Sequence, residues 1–353
     1  MIRAGMTGPC RRTAAPMADR HPARHAAAAF ALTLLAAPAL GQTPAVAPGP
    51  SEPYGTFTFT YENDLLAGTD RYYTSGVQVA WRSAPYVPPS WIADGPGIVL
   101  PADGVLRWGL AFGQNIFTPD DTTLRNPDPR DRPYAGWLYG AISLSSTAPT
   151  YYGSIEFQLG KVGPGALGEQ TQNGVHDLLN IDRAYGWNYQ LKDEPGVNLV
   201  LTRQWRFNSE PVWDDVAVGV VPSLTASLGN VATNASAGMM LRVGNDLTAD
   251  FGPPRMRPSV SGSAFYVPVR RWGWYVFAGF DARVVAHDIF LDGNTWRESR
   301  HVDKENLVGE ATAGFALFTP IGRVTLSYAA RTREFTTQRE SAQFGSISLS
   351  MQF

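Results

Sequence analysis

A two-residue rhythm of apolar and polar side chains runs from Gly55 to the C-terminus in stretches of about ten residues. Successive side chains of a β-strand point to opposite faces, so such a rhythm writes strands with one apolar and one polar face. In 56–62, Phe57, Phe59 and Tyr61 alternate with Thr56, Thr58, Thr60 and Glu62. In 74–82, Val77, Val79 and Trp81 oppose Thr74, Gly76, Gln78 and Arg82. In 106–114, Leu106, Trp108, Leu110 and Phe112 oppose Arg107, Gly109, Ala111 and Gly113. The last run, 344–353, sets Ile347, Leu349, Met351 and Phe353 against Ser346, Ser348, Ser350 and Gln352. Similar runs at 134–147, 151–162, 196–207, 213–228, 232–244, 273–287, 306–319 and 322–335 bring the total to twelve. A further run at 258–267, flanked by Pro258 and Pro268 and rich in Ser, reads as a connection, because single-chain bacterial barrels have even strand numbers.

Which side of these strands meets water is settled by composition. Only 17% of residues are charged, against about 25% in an ordinary soluble domain. Lysines are confined to Lys161, Lys192 and Lys304, whereas the polar phase of a soluble sandwich faces water and carries more Lys and Glu. Here that phase is mostly Gly, Ser, Thr, Gln and Arg, and the apolar phase ends in Trp and Tyr. The expected fold class is all-β: a transmembrane antiparallel up-and-down β-barrel of about twelve strands, apolar outside and polar within. Closure satisfies every backbone amide in lipid, where an open sheet could not. Trp81, Trp108, Trp137, Trp272 and Trp274 are expected at girdle or lipid-facing positions. A mean hydropathy of −0.16 argues against a chain of membrane helices. The absence of a basic cluster argues against nucleic-acid binding.

Residues 1–25 carry five arginines and one aspartate, and 26–37 form a short apolar run followed by small residues up to Gly41. This is the pattern of a secretory signal over 1–41, with Met17 a second candidate start. The Pro/Ala-rich stretch 42–53 reads as a linker, and 54–353 as the barrel. Cys10, the lone cysteine, falls in the leader, so the barrel has no disulfide. Connections alternate between tight (148–150, 229–231, 321–322) and long and polar (63–73, 115–133, 163–195, 288–305). Short turns belong to the periplasmic end and long loops to the outside. Two long connections, 83–105 and 245–272, fall on the short-turn side.

Beyond the leader the histidines are His176, His287 and His301. There is no Gly-x-Ser-x-Gly elbow and no His-Glu-x-x-His motif, so a hydrolase built on this chain would draw its base from three imidazoles. His287 and His301 read as solvated loop residues. Polar clusters gather at strand ends: Tyr61-Glu62-Asn63-Asp64 with 69–76, 113–119 with 131–136, and 163–191 around His176. Taken alone, Asn63-Asp64 are turn residues, Thr74 faces the lumen, and Asp131-Arg132 is a structural corner.

In these stretches ("END" at 62–64 with "TDRYYTSG", "DRPYAGWLY", "GEQTQNGVH", and 290–311), the chain resembles the lipid A 3′-O-deacylases of the Gram-negative outer membrane. The resemblance covers about 54–353. It implies a twelve-stranded barrel that cuts an ester-linked acyl chain from lipid A with the help of a divalent cation, usually calcium. It places the catalytic histidine on His176, the Asn-Asp pair on Asn63 and Asp64, the hydroxyl at the start of the second strand on Thr74, and a further acid on Asp182. Glu62, Asn63, Asp64 and Asp182 offer oxygen ligands for the cation. The family's lysine after the third strand is missing; loop 115–133 carries Arg125, Arg130 and Arg132, of which Arg125 and Arg132 are the candidates for lipid A phosphates. The expected partner is lipid A or lipopolysaccharide in the outer leaflet, the expected state a monomer. The competing classes are a non-catalytic outer-membrane pore or scaffold, and an outer-membrane phospholipase.

Overall fold

The computed structural model describes residues 55–68, 71–85, 99–100, 103–256 and 264–353. The leader, the linker, most of the 83–105 connection and part of the 258–267 run lie outside the described residues. The strands are β1 (Thr56–Asn63), β2 (Tyr72–Arg82), β3 (Val105–Thr118), β4 (Ala135–Thr147), β5 (Tyr151–Val162), β6 (Glu194–Trp205), β7 (Phe207–Asn208), β8 (Ala217–Gly229), β9 (Ala232–Gly244), β10 (Gly273–Asp288), β11 (Leu307–Thr319), β12 (Gly322–Arg331) and β13 (Ala342–Gln352). Two helices, α1 (Gly168–Leu179) and α2 (Ile289–Asp292), lie in long loops. No helix among the described residues is long and apolar enough to cross a membrane.

Twelve long strands pair antiparallel with their neighbours, β6 pairs with β8, and β1 pairs with β13, so the sheet closes. Closure leaves no edge, the condition for placing a sheet in lipid. The expected run 196–207 breaks into β6 and the two-residue β7, because the intervening Arg206 turns inward to the carbonyls of Pro149, Thr248 and Asp250. β12 stops at Arg331, short of the expected 335, where Arg331 and Glu334 turn into a buried ion pair. The alternation sorts as expected. Leu110, Phe112, Leu349 and Met351 face outward, while Thr58 and Thr60 are buried and meet Ser350 and Ser348 at 2.9 and 3.1 Å across the β1–β13 seam. A one-residue slip at that seam would send threonines into lipid, so the polar phase fixes the register.

Trp137 departs from its expected place on the girdle. It shares the inward phase of β4 with Tyr139, is buried, and stacks on that ring at 5.4 Å. Trp81 and Trp108 keep the outward phase and meet edge to face at 4.7 Å. The strand directions also move the tight 229–231 turn. It joins β8 to β9 at the end that carries the long loops, where Asn230 is held by Glu194 and Pro195. Loops 63–73, 115–133, 163–195 and 288–305 share that end, taken as the outer one. At the opposite end the β9–β10 connection does not hang outside; its residues 245–256 fold into the lumen.

Candidate active site at the outer rim

Asn63 ends β1, and Asp64 begins the turn into β2. The Asn63 side-chain oxygen accepts the Leu65 amide at 2.7 Å, and the Asp64 carboxylate accepts the Arg71 amide. Both side chains are buried. The Asp64 amide donates to the Thr74 carbonyl at 3.2 Å, which fixes the two strand ends together. The β2–β3 register shifts between Tyr73 and Ser75, so Thr74 sits in a bulge, a device that re-aims a side chain out of the ladder. Its hydroxyl meets that of Thr118 on β3 at 2.7 Å. Just before the bulge, Tyr72 holds a φ of 69°, a left-handed conformation that a bulky residue keeps only when its surroundings impose it. Tyr72 is buried against Phe335. Asn63, Asp64 and Thr74 therefore form one constellation, with Thr118 as a fourth member that the sequence displayed without marking.

His176 comes from α1, a helix inside what reads from the sequence as a polar loop. Gly168, Gln172 and His176, four residues apart, form its buried face. Gly168 lets the helix start lie between the barrel wall and the Trp187 ring: a Cβ there would stand 2.6 Å from that ring and 3.3 Å from the Gly136 Cα of β4. Gln172 accepts the Trp187 indole N–H at 2.9 Å, and the Asn173 amide forms a two-point latch with the backbone of Ala184. The chain after α1 thus folds back and brings the Asp182 carbonyl to 2.6 Å from His176 Nδ1. A carbonyl only accepts, so Nδ1 carries the hydrogen and the neutral ring keeps its basic lone pair on Nε2. α1 packs on β3 and β4, and Thr118, partner of Thr74, closes β3 at the same end.

Other expected site residues are placed differently. Glu62 points into the lumen, where its carboxylate accepts Arg255 Nε at 2.9 Å and the Tyr73 hydroxyl at 3.0 Å. Strand parity puts it opposite Asn63, so it is a counter-ion of the barrel interior rather than a rim ligand. Asp182 serves His176 through its carbonyl, and its own side chain is exposed. Arg132, expected at a phosphate, is 1% exposed, paired with Glu334 at 3.1 Å and laid over the Phe117 ring. Its burial keeps it from a headgroup outside. Arg125 is exposed beside Tyr185, on the loop that follows α1. His287 is not a solvated loop residue: it bridges the Asn230 carbonyl and Asp292, tying three outer segments together. His301 is exposed, as expected.

Electrostatics on the outer loops support order rather than reaction. Burial pushes the Asp292 carboxyl up, but hydrogen bonds from His287 and Lys304 outweigh it and hold the group below its ordinary value. Burial raises Asp131, whose carboxylate caps the Asp120 and Arg132 amides.

The sequence matches the model of the outer membrane protein LpxR family over residues 28–353. The chain belongs to this family. Among solved structures, LpxR from Salmonella typhimurium is similar with a TM-score of 0.70 and 19% identity, covering 84% of this chain and 100% of that one. The β-domain of the Bordetella autotransporter BrkA matches with a TM-score of 0.44 and 9% identity over 86% of this chain and 100% of that one. No curated protein matches the sequence. Family membership and the closed barrel place the chain in the Gram-negative outer membrane.

Proposed function

We propose that this LpxR-family barrel hydrolyses an ester-linked acyl chain of lipid A, at the 3′ position, from the outer leaflet. The observation that carries this reading is the buried imidazole of His176, fixed by the Asp182 carbonyl in the tautomer that leaves Nε2 basic at the outer rim. His176 Nε2 takes a proton from water as the oxygen adds to the ester carbonyl. Collapse breaks the acyl C–O bond, and the same proton passes to the departing sugar oxygen, leaving a fatty acid and a sugar hydroxyl. Thr74, released from the β-ladder and paired with Thr118, offers the hydroxyl that orients water or substrate. Water as the nucleophile agrees with a site in which no serine is set beside His176 by motif.

For a cation the donors are oxygens, which suits calcium. Glu62 is committed to Arg255 and Asp182 is exposed, and no three acidic or imidazole side chains converge on one point among the described residues. Asn63 and Asp64 are the side chains that would hold the ion, with the remainder of its six to eight oxygens coming from backbone, water and substrate. Bound there, calcium would supply positive charge to a developing oxyanion.

The test is expression in a bacterium with hexa-acylated lipid A, followed by mass spectrometry of the extracted lipid A. Loss of the 3′-linked acyl (acyloxyacyl) group by wild type and none by His176→Gln is expected. Unchanged lipid A with folded protein and calcium present overturns the proposal, and loss of acyl chains from phospholipid instead would make the protein a phospholipase.

A further inference from the structure

The long connection at the periplasmic end enters the barrel. Asp250 is fully buried between Arg242 of β9 and Arg323 of β12, at 3.0 and 2.6 Å, and accepts from Tyr275 of β10. Phe251 packs on Tyr152 of β5, and Arg206 lies 4.3 Å above its ring. The returning segment carries Ala264, whose carbonyl accepts from Thr58 of β1, and Phe265, which lies under Arg107 of β3. Strands around the whole circumference therefore send inward side chains to one connection.

Its deepest described residues reach the rim. Arg255, its side chain 1% exposed, binds Glu62 of β1 through Nε at 2.9 Å, and Glu310 and Thr312 of β11 through its two Nη atoms at 3.1 and 3.2 Å. The Met256 amide leans on the same Glu62 oxygen. Room for this tip comes from Gly76 on β2: a Cβ there would stand 2.1 Å from the Tyr73 hydroxyl and 3.0 Å from the Met256 sulfur. Arg323 and Arg331, which mark the two levels on β12, are eight residues or roughly 26 Å of strand apart. The five residue steps from Asp250 to Arg255 extend at most about 18 Å, and the side chains of Asp250, Arg255 and their strand partners cover the rest of that distance.

From Arg255 a line of alternating charges continues outward. Glu310 binds Arg331, Arg331 binds Glu334, and Glu334 binds Arg132 of the β3–β4 loop. At the other branch Glu62 immediately precedes Asn63 and Asp64. A planar guanidinium with two carboxylates fixes both angle and distance, which a flexible ammonium does not.

We propose that residues 245–256 are a periplasmic plug that closes the lumen, and that Arg255 at its tip is a positioning residue for the rim site, acting through Glu62 on the end of β1. Closure by this plug also explains why a long connection occupies the end where a short turn would suffice. Arg255 lies behind the strand, so it acts on the geometry of the site and not on substrate contact. The second half of the proposal rests on the deacylase reading given above; the first half does not.

The test uses the full-length protein as wild type, Arg255→Ala, Arg255→Lys, and a form whose residues 247–256 are replaced by Gly and Ser at equal length. Folding is checked by heat-modifiable electrophoretic mobility. Wild type should be silent in planar bilayers and the Gly/Ser form should conduct. Arg255→Ala should lower kcat on lipid A at least tenfold with KM within twofold, and Arg255→Lys should recover part of the loss. A folded Gly/Ser form that stays silent overturns the plug. Wild-type kcat in Arg255→Ala overturns the positioning role, and the point variants decide this even where the Gly/Ser form does not fold. If wild type leaves lipid A untouched, the deacylase reading fails, while conductance still judges the plug.

Discussion

Glu310→Gln isolates what the buried charges do for stability. Glu310 is 1% exposed and lies between two guanidiniums, with Arg255 Nη2 at 3.1 Å and Arg331 Nε at 2.9 Å. Removing one partner of a buried ion pair costs about 3–5 kcal/mol, because the remaining charge is stranded away from water. Here each arginine retains a second carboxylate, Glu62 for Arg255 and Glu334 for Arg331. Gln also keeps the shape and one acceptor. The lower end of the range applies, about 3 kcal/mol, which is roughly a hundredfold in the folding equilibrium. The assay is reversible urea unfolding in short-chain phosphatidylcholine vesicles, read by tryptophan fluorescence. Arg183→Gln, which breaks the exposed Arg183–Asp177 pair on the outer loop, is the control and should leave the midpoint in place. Changing Arg331 to Gln as well should cost less than the two single changes summed, since the second removes a charge that the first stranded. A Glu310→Gln midpoint as close to wild type as that of the control would refute the claim that this interior is held by mutual neutralisation.

Leu110→Arg, on the outward phase near the middle of β3, should destabilise the barrel by about 2–4 kcal/mol in the same assay, whereas Ser348→Ala on the inward phase should stay within about 1 kcal/mol. Thr74→Val keeps the shape at the bulge but removes the hydroxyl facing Thr118; it should leave the protein folded and cut deacylation, measured as acyl chains lost per lipid A. Because Asp292 is held below its ordinary value of 3.8, its contribution to the outer loops is present above that pH and is lost as pH falls through the lowered value. Protease cleavage within 288–305 should therefore rise as pH falls below about 4.

The barrel was legible because its rule is local. Alternation is a property of neighbouring residues, and the constraint that lipid offers no hydrogen bonds converts alternating strands into a closed sheet. Chain direction gave the shared end of the long loops, though length alone misassigned the 229–231 turn. The helix under His176 was hidden. Its buried face is Gly, Gln and His, so no apolar stripe announces it, and its stability comes from Trp187 and the Ala184 latch, eleven and more residues away. Arg255 and Glu62 are 193 residues apart, and nothing near either names the other.

The triplet Glu62-Asn63-Asp64 shows how the legible and the hidden parts meet. Read as a string, it offers three oxygen donors to one ion. In the fold, Glu62 keeps the inward phase it shares with Thr56, Thr58 and Thr60, and an acid in that phase needs a cation inside the lumen. Asp64 lies beyond the end of β1, where the alternation no longer governs, and the Arg71 and Thr74 contacts set its direction instead. The end of the strand therefore separates a residue that stabilises the interior from the two proposed to hold the cation. An inward acid in a phase otherwise made of threonine was a sequence signal for a buried arginine partner; only the folded connection says that the partner arrives from the opposite end of the barrel.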